Sequence, residues 1–154
     1  MTKPLRPSAK AIIIRDGKLL ALRMRDAEGL WYLLPGGGAE FGETLHEALR
    51  RECREEAGAE VEIGPLRFVR EYISAHHKFA AEEPDAHQIE YMFVCRLADG
   101  ATPGPGTAHD KGQLGLDWLP LDRLGDYRLY PLSLRALLTR MDDATAPVYL
   151  GDVN

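Results

Sequence analysis

At 154 residues, with 45% hydrophobic and 28% charged side chains, the chain is long enough for one domain with a real core and has the composition of an ordinary soluble globular protein. A net charge of −5 argues against a duplex nucleic-acid binder that works through a basic stripe, but not against a nucleotide drawn to an acidic site by a divalent cation. No apolar run approaches the roughly 18 residues of a membrane span. Residues 1–7 hold no apolar secretion core, so the expected location is the cytoplasm.

Ala9 to Arg15 is a β-branched run that predicts a buried strand. Asp16-Gly17 is a strong hairpin turn, and Lys18 to Arg23 returns from it. Asp26 to Gly29 reads as a polar loop, and Trp31 to Leu34 as a short strand stopped by Pro35. A glycine turn, Gly36-Gly37-Gly38, precedes a helix that Thr44 can cap. Glu47 completes a capping box, and Gly58 is the stop signal. Val61 to Ser74 is extended, with a break at Gly64-Pro65, and Ala75 to Asp85 is a polar loop carrying His76, His77 and Lys78. Gln88 to Leu97 predicts a strand in which Ile89, Tyr91, Phe93 and Cys95 alternate with Met92 and Val94. The Gly- and Pro-rich stretch from Gly100 to Gly106 is a surface loop. A strand over Leu114–Leu119 follows, then a helical turn at Pro120–Leu124. A helix over Leu132–Met141 turns Leu134, Leu137, Leu138 and Met141 inward. The ends, 1–7 and 146–154, are expected to be poorly ordered. Cys53 and Cys95 fall within predicted elements and read as reduced core residues. Helices separated by strands make residues 1–154 a single α/β domain with a mixed sheet.

Glu52, Glu55 and Glu56 stand at i, i+3 and i+4 and share one helix face. Leu45, Ala48 and Leu49 form an apolar stripe, and helical steps continue it onto Glu52 and Glu56, with Glu55 alongside. A solvated helix laced by Glu47–Arg51 and Arg51–Glu55 pairs would explain the charge content. It would not explain carboxylates that extend a core stripe, because burying unpaired charge costs several kcal/mol. A bound cation, or a cleft where the helix leaves the core, removes that objection.

The segment from Gly37 to Ala59 resembles the Nudix box, Gly-x5-Glu-x7-Arg-Glu-U-x-Glu-Glu-x-Gly-U, with U a bulky aliphatic residue. Gly37, Glu43, Arg51, Glu52, Glu55, Glu56 and Gly58 fill every fixed position, while Cys53 and Ala59, both smaller than usual, take the U positions. The preceding Trp31-x-x-Leu34-Pro35-Gly36-Gly37 and Glu40-x-Gly42-Glu43 are similar to the family's lead-in. The resemblance implies an α/β/α sandwich with a mixed sheet. It also implies an enzyme that hydrolyses a phosphoanhydride with Mg²⁺, or Mn²⁺, held by Glu52, Glu55 and Glu56, oxygen ligands suited to those ions. Arg51 would hold a glutamate by a bidentate pair, and Glu43 would orient ligands or a water. Gly36, Gly37 and Gly38 would let backbone approach the phosphates. Many relatives carry the general base in the loop before the late Trp-containing strand. Here that loop holds Gln113, which cannot accept a proton, so the base is Glu55 or Asp110, with Glu55 favoured.

The leading expectation for substrate is a nucleoside diphosphate linked to another moiety, such as ADP-ribose, another nucleotide sugar or a dinucleotide. The alternatives are nucleoside triphosphate pyrophosphohydrolysis and, from a different class, a non-catalytic nucleotide sensor. Tyr32, Phe41, Tyr72, Tyr91 and Tyr130 are candidates for base stacking, and Arg70, His76, His77, Lys78, His87 and Glu90 for reaching the substrate. The expected partner is a small nucleotide-type molecule, with no stable nucleic-acid complex, no membrane and a homodimer left open.

Overall fold

The structure is a computed structural model that describes residues 4–77, 80–81, 85–107 and 112–154. Strand β1 (Arg6–Arg15) turns at Asp16-Gly17 into β2 (Lys18–Asp26). Both turn residues have positive φ, 54° and 73°, the twist that a tight antiparallel hairpin requires. Then come β3 (Gly29–Leu33), β4 (Gly36–Gly38), helix α1 (Leu45–Ala57), β5 (Val61–Ile73), β6 (His87–Leu97), β7 (Gln113–Pro120), the short α2 (Leu134–Leu137) and β8 (Tyr149–Asp152). The strands form one mixed sheet in the order β3-β2-β1-β6-β5-β8, with β4 paired to β1 and β7 to β2. The β1–β6 and β5–β8 pairs are parallel.

Alternation along β1 divides the core. Ala9, Ala11 and Ile13 face one layer with Leu49 and Cys53 of α1, and Ile12 faces the other with Phe68, Met92, Leu124, Leu134 and Leu137. Helical segments thus cover both faces, which is the expected α/β/α sandwich. Cys53 and Cys95 are both buried free thiols, and burial pushes the Cys95 thiol up to about 11. No described helix is long and apolar enough to cross a membrane.

Four expectations are corrected. The glycine turn is a strand, because Gly36, Gly37 and Gly38 pair with Lys10, Ala9 and Ser8 of β1. The expected loose N-terminal segment already belongs to β1 from Arg6, which pairs with Gln88. The expected disordered tail contains β8, held against β5 by Val69 N–H to Val148 O (2.8 Å) and Val153 N–H to Glu71 O (3.2 Å). The helix over 132–141 shrinks to four α-helical residues that tighten into a 3₁₀ turn at Leu138–Arg140, although Leu134, Leu137 and Leu138 are buried as expected. The surface loop at Gly100–Gly106 is anchored: Gly104 N–H donates to Ala57 O (2.8 Å) and Thr107 N–H to Arg54 O (3.3 Å), at the C-terminal end of α1.

Candidate active site

Helix α1 begins as its sequence dictates. The Thr44 hydroxyl accepts from the Glu47 N–H at 3.1 Å, and Gly58 closes the helix with φ 59° and its N–H on Arg54 O. The buried stripe runs through Ala48, Leu49, Cys53, Glu56 and Ala57. A glutamate therefore does occupy the core face, at 1% exposure. Glu56 Oε1 accepts the N–H of Gly36 at 2.8 Å, which ties the helix to β4.

The other two glutamates lie nearer solvent, with Glu52 at 12% and Glu55 at 34% side-chain exposure. Arg51 gathers them. Its Nε and Nη2 grip Glu43 in a two-pronged pair at 2.8 and 3.0 Å. Nη1 reaches Glu52 at 3.0 Å and Glu55 at 3.3 Å, and Nη2 also donates to Gly38 O at 3.0 Å. Glu43 in turn accepts the Glu40 N–H at 2.8 Å, folding residues 40–43 over the guanidinium. The Arg51 hydrogen bonds, helped by that N–H, lower the Glu43 carboxyl to about 2. The same contacts raise the Arg51 pKa.

At Gly36 glycine is required for a packing reason, and at Gly37 a side chain would displace the Glu52 carboxylate. A Cβ at Gly36 would stand 2.1 Å from Ala9 O, and one at Gly37 would stand 2.7 Å from the Glu52 carboxylate. The bare backbone of β4 is thus wedged between β1 and the carboxylates of α1. It forms one wall of a cleft of about 470 Å³. The floor is the sheet, through Ser8, Lys10, Arg70 and Glu90, and an aromatic wall comes from Trp31 and Tyr130, whose rings meet edge to face at 5.8 Å.

The structure brings Glu43, Arg51, Glu52, Glu55 and Gly38 together, with Gly36, Gly37 and Glu56 directly behind them. Among the described residues, no three His, Cys, Asp or Glu side chains stand arranged as a ready cation cage. The donor chemistry nevertheless fits Mg²⁺ or Mn²⁺. Glu52 and Glu55 already converge on a cationic point, Arg51 Nη1, and the missing side chain at Gly37 leaves the Glu52 carboxylate room.

Other candidates are dispersed. Phe41 projects fully into solvent, and Tyr32 is buried with its hydroxyl donating to Asp117 at 3.1 Å. Tyr91 packs in the α1 layer. His76 and His77 bind Asp152, and His87 binds Glu71. Gln113 donates to Glu56 O at 3.1 Å and braces the helix end. Asp110 and Lys78 lie outside the described residues. Tyr72, Tyr130, Arg70 and Glu90 do line the cleft. Sequence reasoning missed Ser8, Lys10 and Asn154 there. Ser8 and Lys10, spaced by two among the otherwise apolar residues 7–14 of β1, were the available signal.

The sequence profile described as NUDIX domain matches residues 4–139. Nucleoside triphosphatase NudI of Escherichia coli O139:H28 is 44% identical over 94 residues, an alignment covering 57% of this chain and 66% of the relative. The chain thus spans just under two thirds of the length of the curated relatives it matches. The fold is similar to that of a NUDIX hydrolase from Nitrosomonas europaea (TM-score 0.70, 17% identity, 90% of both chains). It is also similar to an ADP-ribose pyrophosphatase from Streptococcus suis (TM-score 0.63, 20% identity, 96% of this chain and 98% of that one). With the family profile spanning most of its length and the box residues Glu43, Glu52 and Glu55 joined around the Arg51 guanidinium, which itself donates to Gly38 O at the cleft wall, the chain belongs to the Nudix family.

Proposed function

We propose that this protein hydrolyses a pyrophosphate bond of a nucleotide with the help of Mg²⁺ or Mn²⁺, and that nucleoside triphosphates are its first substrate class. The observation that carries the reading is the Arg51 cluster beside the glycine strand. One guanidinium serves three carboxylates and also donates to Gly38 O, in the wall of a cleft large enough for a nucleotide. The 44% identity to a nucleoside triphosphatase favours triphosphates over the diphosphate-linked nucleotides that sequence reasoning put first. The ADP-ribose pyrophosphatase likeness, at 20% identity, speaks for fold only.

Glu52, Glu55 and Glu56 would hold the metal, which supplies charge neutralisation on the phosphoryl oxygens and a more acidic water. Arg51 and Glu43 fix the directions of the glutamates. The backbone of Gly36 to Gly38 leaves the phosphates room to approach. Glu55 is our general base: it is the most exposed of the three box glutamates, and so the best placed to take a proton from water. Gln113 is occupied in bracing the helix end, which fits its lack of a proton-accepting role. Cytoplasmic residence belongs to the same reading and is supported by the two free, buried thiols.

The test is a panel of nucleoside triphosphates, ADP-ribose, nucleotide sugars and dinucleotides, with and without Mg²⁺, with products identified. Metal-dependent release of pyrophosphate and a nucleoside monophosphate supports the first class. Monophosphate with a sugar phosphate supports the second. Tight binding without turnover would return the protein to the sensor class.

A further inference from the structure

The cleft floor carries a polar row that the proposed hydrolysis does not use. Strand pairing sets Gly38 beside Ser8, Ser8 beside Glu90, and Glu90 beside Arg70, across β4, β1, β6 and β5. Neighbouring strands lie about 4.8 Å apart, so the side chains of Ser8, Glu90 and Arg70 are immediate neighbours on one face, beside the bare backbone of Gly38. Ser8 is 1% exposed, and its Oγ has no hydrogen-bond partner among the described residues. A buried hydroxyl in that state carries a desolvation cost that a ligand's hydrogen bond would offset. Glu90 is 6% exposed and takes Arg70 Nε on Oε1 at 2.7 Å. Burial opposes its ionisation, but the charges of Arg70 and Lys10 outweigh that and hold its carboxyl below the usual range. Glu90 is therefore a carboxylate, with acceptor sites only. Arg70 is fastened from the far side by Val153 O and Asn154 Oδ1. Trp31, Tyr72 and Tyr130 line the same cleft, giving it the walls for a flat ring.

We propose that Glu90 and Ser8 bind the polar edge of a nucleobase, and that Glu90 is the specificity-determining residue that selects an exocyclic amine over its oxo counterpart. The inference rests on the nucleotide reading above. An amine offers N–H to the Glu90 carboxylate. A carbonyl in the same place would set its lone pairs against a carboxylate with no proton between them. The Ser8 hydroxyl can donate to a ring nitrogen or accept from a ring N–H, so it adds affinity to either edge and leaves discrimination to Glu90. Cytosine and adenine fit this floor, and uracil and hypoxanthine do not. Arg70 is a positioning residue: it keeps Glu90 charged and fixes its orientation.

The experiment measures kcat/KM for cytidine against uridine and adenosine against inosine nucleotides, in the class that turns over. We expect about a tenfold or larger preference for the amine in each pair. Glu90→Gln should collapse that ratio, because an amide can turn either its N–H₂ or its C=O toward the base. Ser8→Ala should raise KM for both members of a pair while leaving kcat and the thermal midpoint unchanged, since among the described residues the hydroxyl makes no hydrogen bond that a structural role would require. It also carries the test if Glu90→Gln does not fold. Equal kcat/KM within the pairs, an oxo preference, an undiminished ratio in Glu90→Gln, or an unchanged KM in Ser8→Ala would each overturn the inference while leaving nucleotide hydrolysis intact. Failure to hydrolyse any nucleotide would remove both.

Discussion

Two ionic clusters in this chain are built on opposite principles. Around Arg51, one cation is divided among Glu43, Glu52 and Glu55. Around Asp152 the donors are in surplus: His76 at 2.7 Å, His77 at 2.6 Å and the Ile73 N–H at 3.0 Å converge on one carboxylate. Nearby, His87 and Tyr149 both reach Glu71. The first cluster has more negative charge than its cation can satisfy, so a second cation is welcome there. The second has its acids fully served and fastens β8 to the sheet. On the function proposed above, clusters of similar appearance thus separate into a working site and a scaffold by the balance of donors against charges.

Metal removal should separate the two clusters most clearly. Excess EDTA should abolish turnover, and Mg²⁺ or Mn²⁺ should restore it, while the thermal midpoint stays close to that of the untreated protein because Leu49 and its stripe pack without metal. Loss of the fold on chelation would mean that the Arg51 cluster is scaffold as well.

Next come the box carboxylates. At saturating metal, Glu55→Gln should lose about 10²–10⁴-fold in kcat and flatten the acid limb of the pH–rate profile. Glu56→Gln should lose at least about 10²-fold, with the fold retained because an amide oxygen can still accept the Gly36 N–H. Near-normal kcat in either variant would take that residue out of the site. Arg51→Lys keeps the charge but cannot make the two-pronged grip on Glu43, and should cost about 10–100-fold in activity or metal affinity.

A pH experiment sharpens the contrast from the stability side. The Glu43 carboxyl is lowered from 4.5 to about 2 by the Arg51 hydrogen bonds and the Glu40 N–H. Its contribution is therefore complete above about pH 4.5 and is lost as pH falls toward 2. Denaturant midpoints followed over that window should fall less steeply for Glu43→Gln than for the parent. The smallest effect belongs to the scaffold cluster. Asp152→Ala should cost about 0.5–1.5 kcal/mol in denaturant unfolding and leave kcat within about twofold.

What was legible in the sequence was local. The α1 boundaries, its cap, its stop and the shared face of its glutamates follow from a period of 3.6 residues and from one turn's reach. So does the hairpin at Asp16-Gly17. The cleft floor was not legible in the same way, because Gly38, Ser8, Glu90 and Arg70 come from four strands and meet only through long-range register. The short β8 has no alternating pattern to announce it and depends on partners far earlier in the chain. Gly36 to Gly38 were misread for another reason. Three glycines suggest conformational freedom, whereas here they answer to crowding between β1 and α1.

The same confusion of composition with freedom has a practical consequence at Gly100–Gly106. A protein engineer choosing where to display a peptide would pick this Gly- and Pro-rich segment. At Gly100 there is room, since nothing lies within 4 Å of where a Cβ would stand, provided the glycine itself is kept for its φ of 77°. A few residues later it is not. A Cβ at Gly106 would fall 1.9 Å from the carbonyl oxygen of Glu55, and a Cβ at Gly58 would fall 2.7 Å from that of Pro105. Cargo spliced between 104 and 107 would therefore pry at the backbone of the very residue assigned to proton abstraction. One end of this loop faces open space, and the other presses on the backbone of the residue proposed as the base.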